Sequence, residues 1–346
     1  MKKIFNLLLF IALSICIAFS LDSASPKKGE GIHTFLKRNN RTGSEYYQKF
    51  IDLNKNKLGK NKSLKLGVVY LLPPLKEADS VQATQQTQQV QQTTLRTGIE
   101  PLFGENLAKY EVESDRLKGA CFFLVSGHGG TDPGAVTKIG NVELHEDEYA
   151  YDIMLRLALN LLKEGATVHI IIQDAKDGIR DGEYLSNSDR ETYMGEAIHQ
   201  GYTKNDQALR LKQQCNKINN LSQNSNAKYQ RAIFIHLDSR PKKQSVDIFF
   251  YHKENSYKGK QLATTLRETI RERYKAVRPD RKEYKGTVTY RNLYVLRNTT
   301  PVSVYVELGN LQHEGQDRKR FLDSVNRQAI ANWLCKGLIK DYNNNR

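Results

Sequence analysis

Cysteine is scarce in this chain, which contains only four cysteines among 346 residues. One of them, Cys16, lies in an apolar run near the amino terminus, and the others are Cys121, Cys215 and Cys335. Three cysteines would remain after removal of an amino-terminal segment that contains Cys16, and an odd number without a Cys-x-x-Cys pair signals neither a disulfide framework nor a cysteine-ligated zinc site. We therefore expect isolated thiols that are buried or half-buried in the folded chain.

Long apolar runs are also missing, except at the amino terminus. Lys2 and Lys3 precede Leu7–Phe19, a run of 13 residues that is shorter than the roughly 20 residues needed to span a bilayer. This pattern is typical of a signal peptide, which we place at residues 1–20. The sequence thus predicts export to the periplasm or cell envelope, with no stable membrane span after signal removal. Cys16, which a lipoprotein would use, follows a bulky isoleucine that disfavours the lipoprotein alternative.

Acidic residues are fewer than basic ones, 38 against 53, so the formal net charge is +15. Much of the excess lies between Lys27 and Lys65, where eleven basic residues against three acidic ones give +8. Such a segment binds nucleic acid, an acidic polymer or an anionic surface, or simply forms a solvated face. Export argues against nucleic acid, and the sequence does not choose among an acidic polymer, an anionic surface and a solvated face.

The basic segment has a pattern of its own. It opens on Gly-Glu-Gly-Ile at residues 29–32, continues through a helical stretch that ends at Leu53 and Asn54, and closes near Leu66. Over residues 27–75 this pattern resembles a LysM domain, a small βααβ module. The resemblance implies binding to glycans that contain N-acetylglucosamine. A basic helical prodomain without a specific ligand is the alternative.

A glutamine-rich stretch follows the LysM-like segment. Seven of the twelve residues from Val81 to Gln92 are glutamine, and the stretch has no apolar periodicity. Such a composition cannot bury a core. We therefore predict a flexible linker at residues 76–98 and a second domain at residues 99–346.

Strand and helix patterns alternate along this second domain. Continuous apolar runs predict strands, and amphipathic patterns predict helices. The predicted strands are 121–126, 167–173, 232–237, 246–251 and 303–308, and the predicted helices are 148–163, 207–219, 260–274 and 326–340. Alternation of this kind is typical of an α/β fold with a mainly parallel twisted sheet and helices on both faces.

A long polar stretch, residues 175–206, interrupts the alternation. Loops of this length inside a compact domain are usually functional or disordered. We expect this segment to shape or cover a binding groove.

Two histidines and a glutamate lie at or just past the ends of predicted strands. His128 follows FFLVS, His236 ends AIFIH and Glu307 ends SVYVE. Reacting groups gather at the carboxyl ends of strands in an open α/β sheet, so these residues are expected to converge. Two imidazoles with carboxylates in an exported chain indicate a catalytic zinc, which commonly has three protein ligands and a water. Taken alone, Glu307 is compatible with catalysis or with a structural salt bridge.

The motifs around these residues carry a family resemblance. They are His128-Gly129-Gly130 followed by Asp132-Pro133-Gly134, Glu146 before the helix DIMLRL, His236 in IFIH, and Glu307 in VYVELGN. In this order and at this spacing, the chain from about residue 119 onward resembles the zinc-dependent N-acetylmuramoyl-L-alanine amidases of the amidase-3 type. The resemblance implies hydrolysis of the amide bond between N-acetylmuramic acid and L-alanine in peptidoglycan.

The resemblance also implies roles for individual residues. His128, Glu146 and His236 would be zinc ligands, and Glu307 would act as general base and then as general acid. Asn298 would line the substrate groove. Peptidoglycan is then the expected partner, and the need for an activator protein stays open.

The acidic ligand is chosen from a crowded stretch, because residues 143–148 contain four carboxylates. Alignment on the following helix favours Glu146 and leaves Glu143 as the alternative. Ala150 stands where the family often has asparagine, a departure that affects substrate contacts more than metal binding.

Two further functions remain compatible with these motifs. The first is an inactive amidase-like protein that binds the wall or regulates another enzyme, and retention of the ligand set together with Glu307 argues against it. The second is a zinc peptidase that cuts within the stem peptide.

The remaining histidines carry weaker expectations. His169 is expected in the core or at a sheet edge, and His33, His199 and His252 are expected on the surface. His313 is only a weak candidate for the rim of the site.

Overall fold

A computed structural model describes residues 22–27, 29–41, 45–59, 62–74, 96–277 and 284–346. The chain splits into two compact units, Met1–Thr94 and Leu95–Arg346. The predicted signal peptide and most of the predicted linker lie outside the described residues. Within the described part, no helix combines the length and the apolar character that crossing a membrane requires.

The N-terminal unit has the order strand, helix, helix, strand. Its elements are β1 (Ser23–Ala24), α1 (Ile32–Arg38), α2 (Glu45–Leu53) and β2 (Tyr70–Leu71), and the two strands pair antiparallel. The unit thus begins before residue 27, where the sequence pattern predicts its start. Phe35, Phe50 and Tyr70 are fully buried and their rings contact one another, which gives the unit a small aromatic core.

The C-terminal unit contains a counterpart of every predicted strand and helix of the second domain. The helices are α3 (Glu146–Lys163), α4 (Lys204–Gln223), α5 (Tyr257–Val277), α6 (Tyr294–Asn298), α7 (Gln316–Leu322) and α8 (Ser324–Asn345), and Pro101–Phe103 forms a 3-10 helix. The strands are β3 (Thr97–Ile99), β4 (Lys109–Glu111), β5 (Ala120–Ser126), β6 (Val136–Ile139), β7 (Val142–His145), β8 (Thr167–Ile170), β9 (Ile172–Gln173), β10 (Thr192–Tyr193), β11 (Glu196–Ala197), β12 (Tyr229–Asp238), β13 (Phe249–His252), β14 (Val288–Tyr290) and β15 (Val302–Asn310).

Six strands form the central sheet, in the order β14, β13, β15, β12, β5, β8. All neighbouring pairs are parallel except β13 with β15. The prediction of a mainly parallel sheet is confirmed. As a result, the carboxyl ends of β5, β12 and β15 lie side by side.

Alternate residues of the central strands pack into two separate cores. Phe122 and Ile233 belong to the core that contains residues of α3, α5 and α8. Phe123 and Phe234 belong to the other core, which contains residues of α4 and α6. Burial on both faces explains the continuous apolar runs, and complete burial of each phenylalanine contributes about 1.5–3 kcal/mol. The predicted helices on both faces are therefore present.

The start of α4 is fixed by a capping box. The Thr203 hydroxyl accepts the Asp206 N–H at 3.1 Å, and the Asp206 carboxylate accepts the Thr203 N–H at 3.0 Å. These reciprocal bonds satisfy amide donors that a helix terminus leaves unpaired. They begin the helix at Lys204, ahead of the predicted start at Gln207.

The polar segment 175–206 is tied to the helices by a buried charge network. The Asp152 carboxylate of α3 accepts hydrogen bonds from Arg156 at 2.8 Å, from Arg327 of α8 at 2.6 Å and from the Arg180 N–H at 2.8 Å. Removing one member of such a buried network leaves its partners unpaired, at a cost of about 3–5 kcal/mol. Farther along the segment, β10 and β11 form a hairpin that joins β9 in a three-stranded sheet.

Candidate metal centre

His128 lies in the turn that follows β5. Its φ of 65° places it in the left-handed region, which few residues other than glycine adopt. The preceding Gly127 donates its N–H to the Ile235 carbonyl at 2.7 Å. A Cβ on Gly127 would overlap the His236 ring, so a residue without a side chain is needed there. This close approach brings the two imidazole centres to 5.1 Å.

Glu146 is the first residue of α3, and only 4% of it is exposed. One carboxylate oxygen accepts the Ala135 N–H at 2.9 Å, and the other accepts the Leu237 N–H at 3.0 Å. The helix amino terminus also favours a negative charge at this position. The backbone therefore holds the carboxylate in place.

The side chains of His128, Glu146 and His236 converge. Glu146 Oε1 lies 3.3 Å from His128 Nε2 and 3.0 Å from His236 Nδ1, and one candidate ligand atom from each residue lies within 4.8 Å of the others. Nitrogen and oxygen ligands of a tetrahedral zinc, at about 2.0–2.1 Å from the ion, are about 3.4 Å apart. The spacing and the donor set therefore fit a zinc ion.

The charges of these groups are coupled. Burial by itself raises the pKa of Glu146, but His128 and His236 outweigh it and hold this pKa well below its ordinary value. Burial lowers the pKa of His236. Burial also acts to lower the pKa of His128, yet Glu146 and Asp132 together raise it well above its ordinary value. A cation binding here would take the place of the proton on His128.

Asp132 supports His128 from the opposite side of its ring. Asp132 Oδ1 lies 3.1 Å from His128 Nδ1, and Asp132 Oδ2 accepts a hydrogen bond from Arg210 at 3.1 Å. Burial acts to raise the pKa of Asp132, but His128, the Gly134 N–H and Arg210 lower it to about 2. An ionised carboxylate at Nδ1 fixes the orientation of the imidazole and leaves Nε2 facing Glu146.

Glu307 lies beside His236, because the two are register partners on β15 and β12. Only 8% of Glu307 is exposed, and its Oε2 has no hydrogen-bond partner among the described residues. Burial raises the pKa of Glu307 to about 8, the charges of Glu146 and Asp238 add to the rise, and Arg291 opposes it. A carboxyl group with a pKa in this range can accept and donate a proton near neutral pH.

A cavity of about 170 Å³ opens onto the two histidines. It is lined by His128, Asp132, Tyr193, Gln207, Arg210, Leu211, Gln214, His236, Leu293, Tyr294, Val295 and Tyr305. Tyr193 belongs to the hairpin of residues 175–206, so this segment contributes to the wall of the cavity.

We call His128, Glu146 and His236 the ligand group. Two other residues that the sequence suggested for the site lie away from it. Asn298 ends α6, is exposed, and donates its amide to the Tyr294 carbonyl at 2.9 Å. It is not among the residues that line the cavity, and its role stays a prediction. The Glu143 side chain is 43% exposed, and its carboxylate pairs with Lys138 at 2.9 Å.

Sequence reasoning assigned no role to Asp132, Arg210 or Glu191. The Glu191 carboxylate accepts the Gly130 N–H at 2.8 Å and so anchors the turn that carries His128. Asp132 had a local signal, since it follows His128 by four residues in the same glycine-rich turn. Arg210 lies 78 residues from Asp132 in the sequence, and Glu191 lies 61 residues from Gly130. No local sequence pattern could therefore have identified either residue.

The other histidines lie outside the ligand group. His252 is buried, with 7% exposed, and its Nδ1 lies 2.9 Å from the Lys253 carbonyl oxygen, so the expected surface position is wrong. His252 is on β13, between β15 and β14, which explains its burial. His169 lies on the edge strand β8 and stacks on Phe123 at 5.3 Å.

The fold and this site define an α/β protein in which two histidines and one glutamate form a preformed group that could hold a metal ion. A protein family described as N-acetylmuramoyl-L-alanine amidase, the amidase-3 type, matches residues 123–340. The chain belongs to this family. A search of curated proteins found no match.

Several solved structures are similar to the chain. The CwlD amidase from Clostridioides difficile in complex with the GerS lipoprotein is 21% identical, with 65% of this chain and 100% of that chain covered and a TM-score of 0.47. The catalytic domain of the amidase CwlV from Bacillus (Paenibacillus) polymyxa var. colistinus is 18% identical, covering 66% and 99%, with a TM-score of 0.45. An N-acetylmuramyl-L-alanine amidase from Mycobacterium smegmatis is 16% identical, covering 66% and 99%, with a TM-score of 0.46.

Proposed function

We propose that this chain is a zinc-dependent amidase that hydrolyses the bond between N-acetylmuramic acid and L-alanine of peptidoglycan. The observation that carries the proposal is the convergence of His128, Glu146 and His236, with Glu307 one strand away. Family membership supports the substrate class. The three converging side chains would hold the ion.

A bound zinc ion would lower the pKa of a water molecule and polarise the carbonyl oxygen of the scissile amide. Glu307 would accept a proton from the attacking water and then deliver that proton to the leaving nitrogen. The C–N bond breaks, the peptide leaves with a free amino group, and the lactyl group keeps a carboxylate. Glu307 suits this role because it is buried, its Oε2 is free of hydrogen bonds in the described part of the chain, and its pKa is raised to about 8.

Asp132 would act through His128 rather than on the substrate. Its carboxylate holds Nδ1 of that imidazole, and Arg210 in turn holds Asp132. Carboxylates placed in this way orient a metal-binding histidine and raise its basicity. The Arg210–Asp132–His128 chain would therefore keep Nε2 available to the ion.

The proposal extends to the rest of the chain. Residues 1–20 would direct export to the periplasm or cell envelope, and the N-terminal unit would bind wall glycan as a LysM-like module. Attachment to the wall raises the local substrate concentration without changing the chemistry. Asn298 would contact substrate at the margin of the groove.

The decisive experiment is to identify the new amino terminus after purified protein with zinc digests purified peptidoglycan. We expect peptides that begin with a free alanine and glycan strands that keep intact lactyl groups. The Glu307→Gln variant should release no peptide although it folds and binds zinc, and Glu143→Gln should match the wild type. A new amino terminus within the peptide would show a peptidase instead. Wall binding without any release by the wild type would show an inactive wall-binding protein.

A further inference from the structure

A row of rings leads from His236 across the sheet. The His236 ring stacks on Tyr305 with centres 4.2 Å apart and planes 16° apart, and the Tyr305 ring centre lies 6.3 Å from that of Tyr251. The guanidinium carbon of Arg291 lies 5.1 Å from the Tyr251 ring centre. Tyr305 and Tyr251 are register partners on β15 and β13. The row therefore starts at the candidate metal centre and ends at an arginine that follows β14.

Arg291 differs from two other arginines near the site. Arg210 pairs with Asp132 at 3.1 Å, and Arg240 pairs with Asp238 at 2.7 Å. Arg291 is exposed, and in the part of the chain that the structure describes no carboxylate pairs with its guanidinium. A guanidinium presents a planar fork of N–H donors that matches the two oxygens of a carboxylate. Because no described carboxylate occupies these donors in Arg291, they are available to a carboxylate of a ligand.

The charge of Arg291 also reaches the site. Burial raises the pKa of Glu307, of Tyr305 and of Tyr251, and Arg291 opposes the rise at each of them. The stack on Tyr251 restricts the guanidinium, which reduces the conformational entropy lost when a ligand binds. Arg291 is thus a held, exposed cation at the end of the row of rings that starts at His236.

We propose that Arg291, held by Tyr251, is a subsite for a carboxylate on the peptide half of the substrate, an inference that rests on the proposed function. The lactyl carboxyl group is consumed in the scissile amide and the unmodified sugars are neutral, so the carboxylates of the substrate lie on the peptide. An extended peptide advances about 3.3–3.6 Å per residue. Three successive distances of 4.2, 6.3 and 5.1 Å lead from His236 through Tyr305 and Tyr251 to Arg291. A peptide that follows this row from the cut reaches Arg291 within about its first four residues, so the recognised carboxylate belongs to one of them.

The test compares two soluble muropeptides that differ only in this group, one with free carboxylates on its peptide and one with those carboxylates amidated. Arg291→Gln should raise KM for the acidic substrate about tenfold with little change in kcat, since a charge-assisted hydrogen bond is lost. The same substitution should change KM for the amidated substrate less than about twofold, and Arg291→Lys should recover part of the loss. Arg297→Gln is the matched control, because Arg297 is an exposed arginine six positions later whose guanidinium already bonds to Asn292.

Equal effects of Arg291→Gln on both substrates, no effect on either, or the same selective loss in Arg297→Gln would overturn the subsite. Binding of the two peptides alone, measured by isothermal titration calorimetry on the zinc-loaded full chain, separates this inference from the proposed function. If the wild type cleaves neither substrate, the amidase proposal fails. The subsite then stands only if the wild type binds the acidic peptide more tightly than the amidated one and Arg291→Gln removes the difference.

Discussion

His236 and Glu307 are direct register partners on neighbouring parallel strands, so their side chains leave the sheet on the same face at the same level. Parallel pairing sets this relationship, since it aligns the carboxyl ends of β12 and β15. His236 contributes to the ligand group, and Glu307 lies next to it with an oxygen that makes no hydrogen bond to any described residue. The sheet register thereby separates the proposed metal-binding position from the proposed proton-transfer position by a single strand spacing.

Glu307→Gln should abolish activity and stabilise the metal-free protein at alkaline pH. The pKa of Glu307 is about 8 in the folded chain against an ordinary value of 4.5, so between these values the native state holds a proton that the unfolded state has lost. Wild-type stability must therefore fall as pH rises through this window. We expect at least about a 100-fold loss of activity and, at pH 9, a variant that is more stable by about 5 kcal/mol.

Urea unfolding with a chelator present, at pH 5 and pH 9, measures this difference. The gap in unfolding free energy between variant and wild type should widen toward the higher pH. An equal gap at both pH values would mean that Glu307 does not titrate as the structure indicates.

Glu146→Gln and Glu143→Gln should have opposite outcomes for zinc binding. The Glu146 carboxylate lies within 3.3 Å of nitrogen atoms of both histidines, whereas the Glu143 side chain is 43% exposed and pairs with Lys138. An amide at residue 146 keeps an acceptor but loses the charge. In Glu146→Gln we expect zinc affinity to fall by at least about 100-fold, which exceeds the usual effect of substituting a residue that only hydrogen-bonds to a metal ligand. In Glu143→Gln we expect the zinc affinity to stay within about twofold of the wild type. Competition titration against a chromophoric chelator measures both, and a large loss in Glu143→Gln would reassign the acidic ligand.

Gly134→Ala should disrupt the ligand group, whereas Gly140→Ala should not. Both glycines have positive φ, +68° and +58°, so both substitutions carry similar backbone strain of about 1–2 kcal/mol. A Cβ at residue 134 would lie 2.5 Å from His128 Cδ2 and 2.7 Å from Glu146 Oε2, whereas a Cβ at residue 140 would have no described residue within 4 Å beyond its chain neighbours. We expect both substitutions to lower the melting temperature, Gly134→Ala by more because of the added overlap, and a loss of zinc affinity above about tenfold only in Gly134→Ala. Equal zinc affinities would show that the ligands can move aside.

The sequence predicts the sheet and the ligand group because both depend on strong local patterns. Strands buried on both faces are continuous apolar runs, and the chemistry lies at their carboxyl ends. The two-residue strands β10 and β11 carry too few positions for a periodic pattern, so the hairpin that places Tyr193 in the cavity was not predictable. Contacts such as Arg210 with Asp132 form only after α4 packs beside the sheet, and one sequence offers no signal for such long-range pairs.

Asp132→Asn should weaken zinc binding through His128. The substitution removes the negative charge 3.1 Å from His128 Nδ1 and leaves the buried Arg210 without its carboxylate. Losses of about 10- to 100-fold in metal affinity are typical when such an outer partner is changed. Arg210→Gln should have a smaller effect, because Asp132 still holds the imidazole. Chelator competition on both variants decides the order, and a larger loss in Arg210→Gln would place the main support of the site on α4.

Glu191→Ala should loosen the turn that carries His128. The Glu191 carboxylate accepts the Gly130 N–H at 2.8 Å and the Ser188 hydroxyl at 2.9 Å, so it links the segment of residues 175–206 to the glycines after His128. A buried N–H that loses its acceptor costs about 1–3 kcal/mol, and the turn should open more often by a matching factor of about 5 to 150. Hydrogen exchange at the Gly130 amide should accelerate accordingly. Glu196→Ala is the control on the same segment, because Glu196 is exposed and pairs with Lys217, away from Gly130. Unchanged protection of Gly130 in Glu191→Ala would mean that the strands alone hold His128 in place.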